Sequence, residues 1–547
     1  MAVSRSELPS RAYDAIVVGS GISGGWAAKE LTEKGLKTLV LEAGPPIVPA
    51  RDYAEHVPAY ALTYRGFANR RALNREQPVQ SQTGACDEWA SKFFVNDREN
   101  PYSYDPKAPF AWIRGRHVGG RSIMWGRQVY RWSDLDFEAN AKENIAVDWP
   151  IRYADIAPWY TYVEKFIGVS GQAEGLAHLP DGEFLPPMQL NCAEMHVRDA
   201  MTKRWRGERV LTVGRCAVLT RPHQGRAPCH YCGPCHRGCI THSYFSSVGS
   251  TLPAASATGR LTLRPNSVVA EVMYDERTDR ATGVRAVDAE TLAPLEFRAR
   301  VIFLCASALE SARRNVMDHV FGAGASGTLP GMENRKAFGN RPNGVYVPRF
   351  RNATENHPDF LRGYGFQGGG GRSSWLRGMR TPGFGAAFKD SLLSELGPWE
   401  MDFGGFGECL PRPDNFVALH PTLKDKWGIP ALHVQCTFGP NERAILKDMR
   451  VTAAEILEAA GAKDIKTRDD ELPPGLCIHE MGTARMGRDP RTSVLNAWNQ
   501  SHDVPNLFVT DGACMTSSGN QNPSITYMAL TARACDYAVG RLKRGEI

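Results

Sequence analysis

Four cysteines crowd into "CHYCGPCHRGC" (229–239), and the spacing C-x2-C-x2-C-x3-C keeps Cys229, Cys232, Cys235 and Cys239 within reach of one another. Tetrahedral zinc usually takes two C-x2-C turns separated by a dozen or more residues, so that independent turns wrap the ion from opposite sides. This run has no such spacer. Short, even spacing in a loop that carries Gly233, Pro234 and Gly238 suits the larger cuboid of an iron–sulfur cluster, as in bacterial ferredoxin runs. Two disulfides side by side in so tight a loop would be strained. Zinc and bridged thiols stay as alternatives, and the spacing leaves the number of ligands open. The other nine cysteines (Cys86, Cys192, Cys216, Cys305, Cys409, Cys436, Cys477, Cys514 and Cys535) are scattered, several in apolar runs such as "VIFLCASAL". They read as small buried hydrophobes.

The second chemistry-bearing pattern is Gly19, Gly21 and Gly24 in "VVGSGISGG". In G-x-G-x-x-G the first glycine permits a tight turn, the second lets backbone approach a pyrophosphate, and the third brings helix against strand. Positioning them requires a βαβ unit, and the flanks predict one: a buried strand over 15–18, a helix over 21–34 and a second strand over 38–42. The phosphates then meet the positive end of the helix. Glu42, closing the second strand, can accept from a ribose 2′-hydroxyl and would repel a 2′-phosphate. The fingerprint by itself does not separate FAD from NAD.

At the carboxyl end, "NLFVTDG" reads as a short strand that delivers Asp511 and Gly512 to a sheet edge, where a phosphate or sugar would sit. The segment after it is amphipathic, with Asn522 as its expected N-cap and Pro523 at the first helical position. Such a helix turns its positive end toward whatever precedes it. "GGGG" at 368–371 lacks the Lys-Ser/Thr of a phosphate loop and reads as a mobile loop.

Taken with "GRHVGGRSIMWG" (115–126), "ARVIFLCASALESARRN" (299–315) and "HEMGTARMGRDP" (479–490), these segments make the chain resemble the glucose-methanol-choline (GMC) oxidoreductases nearly end to end. The resemblance implies FAD, bound by the three fingerprint glycines with Glu42, by Gly119, Gly120 and Ser122 of the second glycine loop, and by Asp511, Gly512 and Pro523. It implies a catalytic pair: His479 as the base that takes a substrate hydroxyl proton and Asn522 as the amide that holds the same oxygen, while hydride leaves for the flavin. In the pyranose 2-oxidases, relatives with similar segments, a flavin-linking histidine stands where this chain has Met124; the flavin is therefore expected to be non-covalent.

Most GMC oxidases have no cysteine run. A subset of FAD sugar dehydrogenases has one, and in the glucose dehydrogenases of that kind C-x5-C-x3-C holds a three-iron cluster. Cys229, Cys235 and Cys239 reproduce that spacing and Cys232 is additional, so 3Fe-4S and 4Fe-4S both remain open. A cluster beside the flavin implies a dehydrogenase that passes single electrons outward. "CHYCGPC", "GGRSIMWG" and "SGNQNPS" together look most like bacterial glucoside 3-dehydrogenase large subunits. That implies oxidation of a glucoside or pyranose C3 hydroxyl, a cytochrome c-type acceptor and a small subunit carrying the export signal to the periplasm. Oxidation of glucose C1, a polyol or a sugar acid is the alternative within the family, and a non-catalytic electron-transfer subunit is the alternative outside it. Gln435 is an expected sugar contact.

Composition is that of an ordinary folded chain, with 42% hydrophobic and 23% charged residues. A net charge of +6 over 547 residues argues against a nucleic-acid partner. The basic run "KRWRGERVLTVGR" from Lys203 reads as a solvated face. No apolar run approaches the ~18 residues needed to span a bilayer, so no direct membrane insertion is expected. The first residues lack the pattern of a secretory peptide. The expected fold is α/β, resembling p-hydroxybenzoate hydroxylase-type flavoproteins: a discontinuous Rossmann-like FAD domain (1–149, 226–329 with the cysteine loop, and 475–547) and a substrate lobe (150–225 and 330–474). Strands near 268–273 and 299–305 belong to the first, and an antiparallel sheet over the flavin, to which "ALHVQCTF" contributes, belongs to the second.

Overall fold

The computed structural model describes residues 13–311, 314–372, 377–378, 381–394 and 396–547. Residues 1–12, where most of the amino-terminal signal expectation falls, and 312–313 of the 299–315 motif lie outside them.

The strand Tyr13–Val18 is the centre of the first layer because it is apolar on both faces. Ala15 and Val17 join one buried cluster, with Ala27, Ala28 and Leu31 of the helix Ile22–Glu33. Ile16 and Val18 join another on the opposite face, with Leu39, Leu41 and Val284. Both faces of the strand are thus covered, as a parallel sheet requires. Parallel neighbours run outward as Thr38–Leu41 and Leu261–Arg264 on one side, and Pro294–Leu304 followed by Leu507–Val509 on the other. Pro294–Leu304 also pairs antiparallel with Arg280–Asp288, which pairs with Ser267–Asp275. The helix Ile22–Glu33 is buried from Ser23 to Thr32 because the helices Thr251–Ala257 and Ser524–Lys543 pack over it.

The second layer is a six-stranded antiparallel sheet in the order Lys463–Asp469, Val320–Leu329, Trp399–Gly407, Tyr364–Arg372, Val345–Val347, Thr212–Val213. The alternating burial of Trp399–Gly407 is that of a strand with one face on a core. That core is shared with the helix Pro440–Ala459, whose Ile445, Met449 and Ile456 are wholly buried.

Four sequence expectations change. Val320–Leu329 lies in the lobe sheet, so at sheet level the division falls before residue 320, not at 329/330. "GGGG" is no loop: Gly368–Gly371 is part of the strand Tyr364–Arg372. Glycine is needed there because neighbours crowd it: a Cβ on Gly368 would stand 1.9 Å from the Asp402 carbonyl oxygen, and one on Gly370 2.8 Å from the Ala193 Cβ. "ALHVQCTF" supplies the strand Pro430–Gln435, but this pairs with Phe416–Lys424 as a separate two-stranded ribbon. Finally, the basic run is solvated only in its first half; Thr212–Val213 is an edge strand, and Arg215 is buried on Asp181 at 2.6 Å.

Candidate functional site

The turn after Tyr13–Val18 is built as the fingerprint demands. Gly19 has φ +93°, and a Cβ on it would lie 2.5 Å from the Cys305 carbonyl oxygen. A Cβ on Gly24 would lie 2.0 Å from the Gly19 carbonyl oxygen, which is the close strand–helix approach expected of the third glycine. Gly21 differs: nothing stands within 4 Å of its missing Cβ, and no side chain caps the helix it opens. Those free N–H groups at a helix start are a ready anion site. Glu42 is buried, accepts from Ser20 N (3.1 Å), Ser20 Oγ (2.6 Å) and Gly44 N (3.0 Å), and burial pushes its carboxyl up.

The second glycine loop closes over the first. Gly119 (φ +91°) and Gly120 (φ +48°) start a short 3-10 turn, Gly120–Ile123. Gly119 N donates to Ser20 Oγ at 2.9 Å, and a Cβ on Gly120 would lie 3.3 Å from Gly21 Cα. Ser122 acts inside the turn, since its hydroxyl donates to the Gly119 carbonyl and accepts from Ser247 N. Met124 packs in an apolar cluster with Phe93, Ile113 and Ile123. From the far end, Asp511 accepts from Ala513 N (2.9 Å) and Ser307 N (3.0 Å), and burial lifts it to about 6. A Cβ on Gly512 would come 2.3 Å from the Glu480 carbonyl oxygen. Among the described residues the Tyr527 hydroxyl is buried without a hydrogen-bond partner. An open helix start, bare glycine backbone and a buried carboxylate fit an adenine dinucleotide.

Beside this cleft the segments 317–319 and 479–481 are zipped together. Met317 N donates to Met481 O (3.0 Å) and Met481 N to Met317 O (2.9 Å). Asp318 accepts from the backbone N–H groups of His479 (2.9 Å), Gly475 (2.7 Å) and Cys477 (3.2 Å). Burial and the nearby Glu480 push Asp318 up to about 7. Glu480 in turn pairs with Arg121 at 2.7 Å, tying the 479–481 segment to the second glycine loop. His479 Nε2 faces Asn522 Nδ2 at 3.5 Å, and its Nδ1 faces His319 Nδ1 at 2.9 Å and Cys477 Sγ at 3.8 Å. Burial first, then the neighbouring His319 and Arg121, hold His479 well below the usual histidine range, so the imidazole is neutral near pH 7.

Asn522 is not the helix cap expected of it. The helix begins at Ser524 with Pro523 in the cap position and no side-chain cap. The Asn522 oxygen instead accepts from Gln367 Nε2 at 2.5 Å, which turns the NH₂ toward His479. Gln367 also lines a cavity of about 280 Å³ with Phe321, Phe406, Asp402 and Arg468, floored by the backbone of Gly368 and Gly404. Phe406 is the link to the His479–Asn522 pair, its ring centroid 6.4 Å from that of His479. Gln435 ends the separate ribbon opposite Phe416; the glutamine joined to the pair is Gln367. Sequence reading missed Gln367, Asp318 and His319. Only the "DH" dipeptide ahead of a strand pointed to the last two, and nothing local pointed to the first.

Cys229, Cys232, Cys235 and Cys239 line one pocket, with Glu55, Tyr244 and Asn340 in its walls. Gly233 (φ +109°) and Gly238 (φ +98°) supply the left-handed turns between them. Asp87 anchors the loop, accepting from His236 Nε2 (2.8 Å) and Arg237 Nε (2.7 Å). Burial pushes the Cys229 thiol up to about 11, and the neighbouring thiols add to it. A polynuclear cation centre would relieve both costs. Among the described residues, the His/Cys/carboxylate group with ligand atoms within 4.8 Å of one another is His319, Cys477 and His479. Tyr244, a wall of the cysteine pocket, donates to the Ile123 carbonyl of the second glycine loop. Of the nine scattered cysteines all are buried except Cys192, which is half-buried.

A dinucleotide cleft that meets a histidine–amide pair under an antiparallel sheet defines a flavin-type oxidoreductase. The chain belongs to the GMC oxidoreductases: the family's amino-terminal model matches residues 13–313 and its carboxyl-terminal model 411–531. It is similar to a 2-methyl-1,2-propanediol dehydrogenase of Mycolicibacterium austroafricanum, with 29% identity over 96% of this chain and 94% of that one. It is also similar to the fructose dehydrogenase large subunit of Gluconobacter japonicus, with 24% identity over 97% and 98%. Among solved structures, pyridoxine 4-oxidase from Mesorbium loti shares the fold at a TM-score of 0.58 and 16% identity, covering 96% of this chain and 98% of its own. Among the described residues no helix is long and apolar enough to cross a membrane.

Proposed function

We propose that the protein is a dehydrogenase that oxidises a secondary hydroxyl of a glucoside or other pyranose, at C3, and sends the electrons to an acceptor other than oxygen. The observation that carries this reading is the neutral His479 imidazole facing the Asn522 amide beside a cavity walled by aromatic rings and bare backbone. His479 Nε2 takes the proton of the substrate hydroxyl. Asn522 Nδ2 donates to the same oxygen, and Gln367 keeps that NH₂ pointed inward. Phe321 and Phe406 offer apolar faces to a sugar ring, and the Asp402–Arg468 pair offers charged partners to its hydroxyls. FAD, held non-covalently by the two glycine loops, Glu42 and the Asp511–Gly512 edge, supplies the hydride acceptor when bound. Cys229, Cys232, Cys235 and Cys239 would hold an iron–sulfur cluster, which would supply one-electron carriage toward a cytochrome-type partner. A small subunit that carries the complex to the periplasm completes this reading, and the relative named as a large subunit supports a partnered assembly.

A second reading, oxidation of an acyclic diol, is favoured by the propanediol dehydrogenase relative. Both are tested by one anaerobic panel: flavin bleaching by methyl α-glucoside, sucrose, D-fructose, gluconate and 2-methyl-1,2-propanediol, with product NMR and iron and sulfide analysis. Bleaching by a glucoside with a 3-keto product is expected. Bleaching by the diol alone selects the second reading, and no bleaching by any member overturns both.

A further inference from the structure

We infer that His319 is a positioning residue, fixing His479 in the tautomer that carries its lone pair on Nε2, toward substrate. The inference rests on the reading of His479 as the base. His319 Nε2 lies 3.0 Å from the Ser518 carbonyl oxygen. A carbonyl only accepts, so the His319 proton sits on Nε2. Burial holds this ring down to about 4, so it is neutral and has a single N–H. Its Nδ1 is therefore bare. His479 Nδ1 stands 2.9 Å from that bare nitrogen, and two lone pairs at this distance would repel, so the His479 proton is on Nδ1. Being neutral as well, His479 has its lone pair on Nε2, the nitrogen that faces Asn522.

The arrangement is rigid. The two rings meet edge to face, with centroids 4.8 Å apart and planes at 77°. The residue before His319 is Asp318, which grips the His479 backbone, and the Met317–Met481 bridge closes the same zipper. One dipeptide thus fixes both main chain and ring of the base. Cys477 Sγ, at 3.8 Å, is the weaker neighbour of Nδ1. His319 also acts during reaction. When Nε2 takes the substrate proton, the Nδ1–H···Nδ1 bond becomes charge-assisted and strengthens, so the acceptor favours the charged state of the base.

The test uses His319→Phe, His319→Asn and His479→Ala in the FAD-loaded protein, with the fastest reductant of the panel above. Phenylalanine keeps the ring shape and removes the acceptor; asparagine puts an oxygen near the Nδ1 position. His319→Phe should lower the limiting rate of flavin reduction about 10²-fold with the half-saturating concentration unchanged, and His319→Asn should recover most of it. Selective ¹⁵N-histidine NMR of the unmodified protein should show His479 with its proton on Nδ1. A His319→Phe variant as fast as the parent, an Asn variant no faster than Phe, or a proton on Nε2 overturns the inference. The NMR arm decides if the Phe variant does not fold. His479→Ala separates the two levels: if it reduces flavin at the parental rate the base assignment itself fails, whereas a slow His479→Ala with a fast His319→Phe removes only the role of His319.

Discussion

His479, the proposed base, sits in a buried site that holds it at rest as an unprotonated imidazole. Burial leads, with His319 and Arg121 beside it. The sign of the pH effect follows directly. The working form is the neutral ring, and its protonation is moved below the ordinary 6.5, so acidification through 6.5 should leave it intact. A base at the ordinary value would lose about tenfold in rate between pH 7.5 and 5.5. The limiting rate of flavin reduction, followed by stopped flow across that interval, should instead stay nearly level. An inflection at 6.5 or above that His479→Ala abolishes would contradict the lowered protonation of His479 while keeping it as the titrating group. Asp318, lifted to about 7, also titrates in this range, and Asp318→Asn identifies any shallow step that belongs to it.

At the scale of elements, the two glycines of the first turn make opposite predictions. Gly24→Ala drives a methyl against the Gly19 carbonyl and should lower the melting temperature of the apoprotein. Gly21→Val meets open space and a φ of −67° that any residue adopts, so the fold should survive while FAD content falls. Apoprotein melting and bound-flavin absorbance separate the two. In the cysteine loop, burial pushes the Asp87 carboxyl up, but hydrogen bonds from His236, the Ala90 amide and Arg237 outweigh it and hold Asp87 at about 2. Asp87→Asn should therefore free the loop: thiols should react faster with a disulfide reagent, and on the proposed cluster reading iron retained after gel filtration should fall about tenfold. The elements legible in sequence were those whose signal is local. The fingerprint glycines, Glu42 and the cysteine spacing each lie within a few tens of residues, and the motif segments carried His479 and Asn522. Gln367 and His319 were not legible because their partners are set by the register of the lobe sheet and by a bridge between residues 317 and 481. A long-range contact also accompanies the failed cap: the Asn522 oxygen accepts from Gln367 and caps no helix N–H.

Across the whole molecule, buried charge joins segments far apart in sequence. Arg362 and Glu408, both wholly buried, meet at 3.1 Å, and Arg362 also donates to Asn140 at 2.7 Å. Burial lifts Glu408 to about 6, against the pull of Arg362 and Arg349. Arg362→Met would strand Glu408 and should cost about 3–5 kcal/mol, read as a lower denaturation midpoint. Arg362→Met with Glu408→Gln should regain part of it. The two-layer plan was expected from sequence, while the extent of the lobe sheet was not. Val320–Leu329 pairs there with Trp399–Gly407 and Lys463–Asp469, and a Cβ on Gly324 would lie 2.0 Å from the Phe403 carbonyl oxygen.

The cavity beside His479 has peptide groups for part of its floor, at Gly368 and Gly404. A Cβ on Gly404 would meet only ordinary contacts, with Arg468 Nη2 at 3.6 Å and the Gln367 oxygen at 3.9 Å, whereas one on Gly368 would collide with main chain. Enlarging residue 404 would therefore trim the chamber by degrees without disturbing the scaffold, so in the proposed function this position can narrow the girth of the molecules admitted while the chemistry is kept whole.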